Sequence, residues 1–198
     1  MCPPSEDSSP RLTVSALSSP FSPTQRRLLL QLAHQSIMAA LDHRELSAVP
    51  PDPYLAKPRG VFTTLYYRDS LRGCVGYVLP TTSVYRNVIE TARGAAFDDP
   101  RFAPVTRDEA VELEVSLSIL SPPKPVHPEA VEVGCHGLLI RQGTNRGLLL
   151  PQVPVEHQWD RITFLEQTCK KAGLPPDAWQ RGAQIEVFTA EVFGERTG

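Results

Sequence analysis

Apolar residues recur at three- and four-residue spacing at Leu29, Leu30, Ala33, Ile37, Ala40 and Leu41. This spacing predicts a helix with one buried face, opening at the cap residues Ser22 to Thr24 and running to about residue 43. Four prolines between Ala48 and Pro58 make a loop. Val61 to Tyr67 is β-branched and aromatic, and the tight Arg68-Asp69-Ser70 connection leads into a second strand, Leu71 to Leu79, so the pair reads as a hairpin. Thr81 to Phe97 predicts a helix with Val84, Val88, Ile89, Ala92, Ala95 and Ala96 on one side, ended by Asp98-Asp99-Pro100.

From Val111 to Leu120 apolar and polar residues alternate, the pattern of a strand with one wet face. Gly137 to Arg141 and Gly147 to Leu150 predict a second hairpin around Gln142 to Arg146. The prolines of Leu150-Pro151-Gln152-Val153-Pro154-Val155-Glu156-His157 predict an extended segment and exclude helix. Trp159 to Ala172 reads as a helix closed by Gly173, with Cys169 in its core face. Gln184 to Phe193 is a last strand, whose apolar phase shifts between Val187 and Phe188 as a bulge would shift it. Irregular alternation of helices and strands with two antiparallel hairpins predicts an α+β fold of mainly antiparallel sheets with packed helices.

A length of 198 residues allows one domain or two closely joined subdomains. The Ser/Pro-rich residues 1–21 read as a disordered tail, and the ordered body as residues 22–195. A net charge of -2 carries no electrostatic footprint for nucleic acid. No apolar run approaches membrane-span length, and no signal-peptide pattern opens the chain, so a cytoplasmic location is expected. The four cysteines are scattered without a C-x-x-C pair, so they give neither a zinc-ribbon signature nor a disulfide scaffold, and no metal or cofactor is assigned.

The candidate chemistry centres on Leu71-Arg72-Gly73-Cys74-Val75-Gly76. Strand alternation turns Arg72, Cys74 and Gly76 to one face, and a guanidinium two residues from a thiol favours the reactive thiolate. The competing reading is a buried cysteine acting as a small hydrophobe. Gly73 and Gly76 mark a bulge, or a place where a ligand or another backbone comes close. Asp98, Asp99 and Arg101 form a polar loop, either aimed at a cleft or a solvated turn. Gln152 and Glu156 are candidate wall residues, whereas the adjacent Glu156 and His157 make a poor acid–base pair on an extended chain. Signatures of phosphate loops, dinucleotide binding, zinc proteases and serine hydrolases are absent.

The hexapeptide is similar to the hallmark of the AMMECR domain family, protein A of the AmmeMemoRadiSam system. The resemblance continues through Asp98-Asp99-Pro100-Arg101-Phe102, Gly147 to Pro154, Thr168 to Pro175 and Phe188-Thr189-Ala190-Glu191. It implies two unequal subdomains, with the hexapeptide near the cleft between them. It also implies association with a Memo-like protein and a radical SAM protein. Three functions follow as expectations. The first is a role in that modification pathway, with Cys74 as the reactive thiol, Arg72 activating it, and Gly73, Gly76, Asp98, Asp99, Arg101, Gln152 and Glu156 binding. The second is a protein-binding module without turnover. The third is a nucleic-acid-associated factor, against which the near-neutral charge counts.

Overall fold

The structure, a computed structural model, describes residues 21–79 and 81–195. In chain order these form α1 (Pro23–Leu41), β1 (Val61–Tyr67), β2 (Ser70–Tyr77), α2 (Val84–Phe97), α3 (Arg107–Ala110), β3 (Glu114–Leu120) and β4 (Lys124–Pro125). There follow β5 (Gly137–Gln142), β6 (Asn145–Leu149), α4 (Gln152–Glu156), α5 (Arg161–Lys171), β7 (Gln184–Phe188) and β8 (Ala190–Gly194). The fold is α+β, with two four-stranded sheets. The tail expected over residues 1–21 lies outside the described residues except for Phe21, which is buried against Tyr54 and Phe193. Among the described residues no helix is long and apolar enough to cross a membrane.

The larger unit contains the described residues up to Leu120 together with those from Glu191. Its sheet has the order β2-β1-β3-β8, antiparallel where β1 meets β2 and β3. Val61, Thr63 and Leu65 of β1 are buried, and Val61 and Leu65 join a core with Leu29, Ile37, Val84, Val88, Val115 and Leu117. α1 begins with a capping box, in which Ser22 Oγ accepts the Gln25 N–H and the Gln25 side chain accepts the Ser22 N–H. The β1–β2 turn places Arg68 and Asp69 at φ 47° and 65°, the left-handed geometry of a two-residue hairpin, without glycine. Gly73 lets the sheet approach α2, since a Cβ there would stand 2.0 Å from the Ala95 carbonyl oxygen.

The smaller unit spans residues 121–190 of the described chain. Its sheet, β4-β7-β5-β6, buries Leu138, Ile140, Ile185 and Val187 with Phe164, Leu165 and Cys169 of α5. A Cβ at Gly147 would meet the Ala172 backbone nitrogen at 2.3 Å, so this glycine sets how closely α5 lies on β6.

Four sequence expectations need correction. The strand expected over residues 111–120 begins at Glu114, because Thr106 and Glu109 form a capping box that coils residues 107–110 into α3 and leaves Val111 exposed. The helix expected from Thr81 begins at Val84, behind the Ser83 cap. The strand expected over residues 184–193 is two strands in different sheets, so the phase shift marks a crossing at Thr189 rather than a bulge. The segment 150–157 contains a short helix, α4. Pro154 sits in its first turn, where a backbone N–H has no helical acceptor to lose.

Candidate functional site

The β1–β2 register builds the site. The hairpin closes with Tyr67 opposite Ser70, and an unbroken ladder from there would set Thr64 opposite Gly73. Instead the register shifts between Leu65 and Tyr66, which leaves Arg72 as an extra residue and brings Thr64 opposite Cys74. The Thr64 hydroxyl then donates to Cys74 Sγ at 3.3 Å. Both residues are half-buried and lie on the sheet face turned away from the helices, since Thr63 and Gly73 occupy the buried face. Cys74 is a free thiol.

The loop after α2 reaches this strand. Asp99 Oδ2 accepts the Cys74 backbone N–H at 2.8 Å, and Arg101 Nη2 donates to the Cys74 carbonyl at 3.4 Å. Arg101 also donates to Asp99 from Nε at 3.0 Å and from Nη2 at 2.7 Å. The Asp99 side chain is 3% exposed, against 55% for Arg101. The Arg101 guanidinium first, and the Cys74 N–H second, hold the Asp99 carboxyl well below the usual carboxylate range. The two residues thus close the edge of β2 at Cys74 as a neighbouring strand would.

Arg72 is committed elsewhere. Its guanidinium donates to both carboxylate oxygens of Glu109, at 3.0 and 3.2 Å. Glu109 also accepts the Thr106 N–H in the α3 capping box. The Arg72 guanidinium, then the Thr106 N–H, lower the Glu109 carboxyl to about 2. Phe102 lies near both cations, with its ring centre 6.0 Å from Arg72 Cζ and 5.5 Å from Arg101 Cζ. Among the described residues, Arg72 Nη1 is buried without a hydrogen-bond partner.

Of the residues singled out in the sequence, Arg72, Cys74, Asp99 and Arg101 therefore come together. Gly73 and Gly76 are accounted for by the protein itself. The first meets the α2 backbone, and the space of a Cβ at the second is filled by the Phe62 ring, 2.2 Å away. Asp98 is exposed and caps the C-terminus of α2. Gln152 and Glu156 are exposed on α4 of the smaller unit, one helical turn apart. His157 stacks on Trp159 at 4.7 Å. Sequence reasoning missed Thr64 and Glu109. The T-x-x-E spacing of Thr106 to Glu109 was a readable cap signal. Thr64 had none, because its position depends on the bulge.

The AMMECR1 family model matches residues 30–193. Protein MK0488 of Methanopyrus kandleri is 44% identical over 180 residues, covering 84% of this chain and 86% of that one. Protein TK0174 of Thermococcus kodakarensis is 43% identical over 181 residues, covering 84% and 88%. The crystal structure of the uncharacterized protein PH0010 from Pyrococcus horikoshii superimposes with a TM-score of 0.69 at 39% identity, covering 85% of this chain and 90% of that one. Both the hexapeptide and the Asp99–Arg101 loop fall inside the matched span, and the chain belongs to the AMMECR1 family.

Proposed function

We propose that this chain is a cytoplasmic component of a modification pathway linked to Memo-like and radical SAM proteins, with Cys74 supplying a nucleophilic sulfur. One observation carries the reading: a free, half-buried thiol accepts a hydrogen bond from Thr64 while Asp99 and Arg101 hold its own backbone on both sides. The hydroxyl aimed at sulfur orients the thiol, and a main chain tied down at N–H and carbonyl holds the sulfur in one place. The cation bonded to Cys74 in this reading is Arg101, through the Cys74 carbonyl, and both arginines are ion-paired, Arg101 with Asp99 and Arg72 with Glu109. The resemblance to protein A of the AmmeMemoRadiSam system supports the pathway and its partners.

A second reading, a docking module without turnover, draws support from that same Arg72–Glu109 pairing, which spends the charge nearest in sequence on architecture. Affinity capture of the wild type beside Cys74→Ser, followed by mass spectrometry, separates the two. The thiol reading expects a covalent adduct on Cys74 of the wild type alone. The same partners on both proteins, with no adduct, would replace it with the docking module.

A further inference from the structure

In an antiparallel ladder, residues alternate between pairs bonded across to the partner strand and pairs whose N–H and carbonyl point away from it. Cys74 belongs to the second kind, because its N–H and carbonyl are spent on Asp99 and Arg101 at the free edge of β2. Gly76, two residues on and opposite Phe62, has the same orientation. No turn, loop or side chain among the described residues bonds the Gly76 N–H or carbonyl. The residue is half-exposed, and the Phe62 ring lies against its Cα. The β2 edge is thus closed at Cys74 and open at Gly76. Beside the opening stands Arg101, whose Nε and Nη2 are used and whose exposed guanidinium keeps Nη1, unbonded among the described residues, for another acceptor.

We infer that the open edge of β2 at Gly76 docks an extended peptide segment, one residue of which exchanges two hydrogen bonds with Gly76 while a neighbouring acidic side chain meets Arg101. An unpaired edge N–H and carbonyl are complementary to polypeptide main chain in the way of strand addition, with side-chain contacts adding selectivity. Docked there, the peptide abuts the Asp99–Arg101 closure next to Cys74, which makes polypeptide the substrate class. That last step rests on the thiol reading, whereas the docking itself does not.

The test uses the full chain and a library of end-capped, proline-free eight-residue peptides. The best binder is resynthesised with single backbone N-methyl groups, and amide hydrogen exchange is followed by NMR. The expected result is enrichment of Asp- or Glu-containing peptides and at least tenfold protection of the Gly76 amide on binding. Affinity should fall at least tenfold when one particular peptide N–H is methylated. Cys74→Ser should bind the peptide as the wild type does, so loss of adduct chemistry and loss of docking are read separately. No enrichment, binding that leaves Gly76 exchanging freely, or indifference to every N-methyl group would each overturn the inference. Gly76 protection that rises with protein concentration in the absence of peptide would assign the edge to a second copy of the chain and overturn it as well.

Discussion

Asp99 and Cys74, 25 residues apart in the chain, are joined by a 2.8 Å hydrogen bond from the Cys74 N–H to a carboxylate that is almost fully enclosed. The bond ties the loop after α2 to the strand carrying the thiol. Asp99 also accepts the Arg101 N–H at 3.1 Å, so a single carboxylate organises both chain segments.

Asp99→Asn should therefore loosen the site and change the acid response of the protein. The folded Asp99 carboxyl lies below its unfolded value of about 3.9, so its stabilisation is present above that pH and lost as pH falls toward the folded value. Glu109, lowered to about 2, adds a loss of the same sign below an unfolded value of about 4.3. Melting temperature against pH should fall steeply below about pH 4 in the wild type. The variant should melt lower at neutral pH and fall less on acidification. Parallel curves would show that Asp99 contributes no charge-dependent stability.

Thr64→Val keeps the branched shape and removes the hydroxyl that reaches Cys74 Sγ. Alkylation of Cys74 by a small reagent at neutral pH should slow roughly fivefold, the worth of one hydrogen bond. Arg101→Gln should slow it too, while Arg72→Gln should act mainly on stability. In every variant Cys74 should react faster than Cys169, which is fully buried and whose thiol burial pushes up. Rates unchanged by Thr64→Val would remove the hydroxyl from the thiol reading.

Gly73→Ala should cost roughly 3 kcal/mol in urea denaturation, because its Cβ meets the α2 backbone, which has no side-chain freedom to yield. Gly143→Ala is the contrast. Among the described residues nothing lies within 4 Å of that Cβ, and only the positive φ of 61° is strained, at about 1 kcal/mol. Equal costs would mean that the close approach of β2 and α2 relaxes freely.

Phe21→Ala should cost about 3 kcal/mol, the usual toll of emptying a buried aromatic site. The Phe21 N–H donates to Glu191, whose carboxylate also pairs with Arg26 at 2.8 Å, so β8 is fastened along α1. His34 and Glu195 make a second contact at 2.9 Å. Eight residues of helix and four of strand both advance about 12–13 Å, which matches the two attachment points. A double-mutant cycle on Arg26 and Glu191 should give a coupling below about 1 kcal/mol that shrinks in salt, as for other exposed pairs. A larger, salt-insensitive coupling would contradict that.

What the sequence determined by itself was local. The spacing of Leu29, Ala33 and Ile37, the alternation of Leu113, Val115 and Leu117, and the Gly173 stop each record which face of an element avoids water, and that requirement is written into consecutive residues. The motif residues around Cys74 and Asp99 were likewise visible as a pattern. Tertiary structure alone decided the rest. Thr64 stands opposite Cys74 only because the bulge at Arg72 shifts the ladder by one residue, and a period of two cannot announce its own slip. Arg72 turns to Glu109 rather than to the thiol because α3 brings a carboxylate within reach of both guanidinium donors. The strand from Gln184 divides at Thr189 because its two halves bury their apolar faces in different sheets. In each case the deciding partner lies outside the local pattern, 10 residues away for Thr64 and Cys74 and 37 for Arg72 and Glu109, and its position is set by packing rather than by neighbouring side chains.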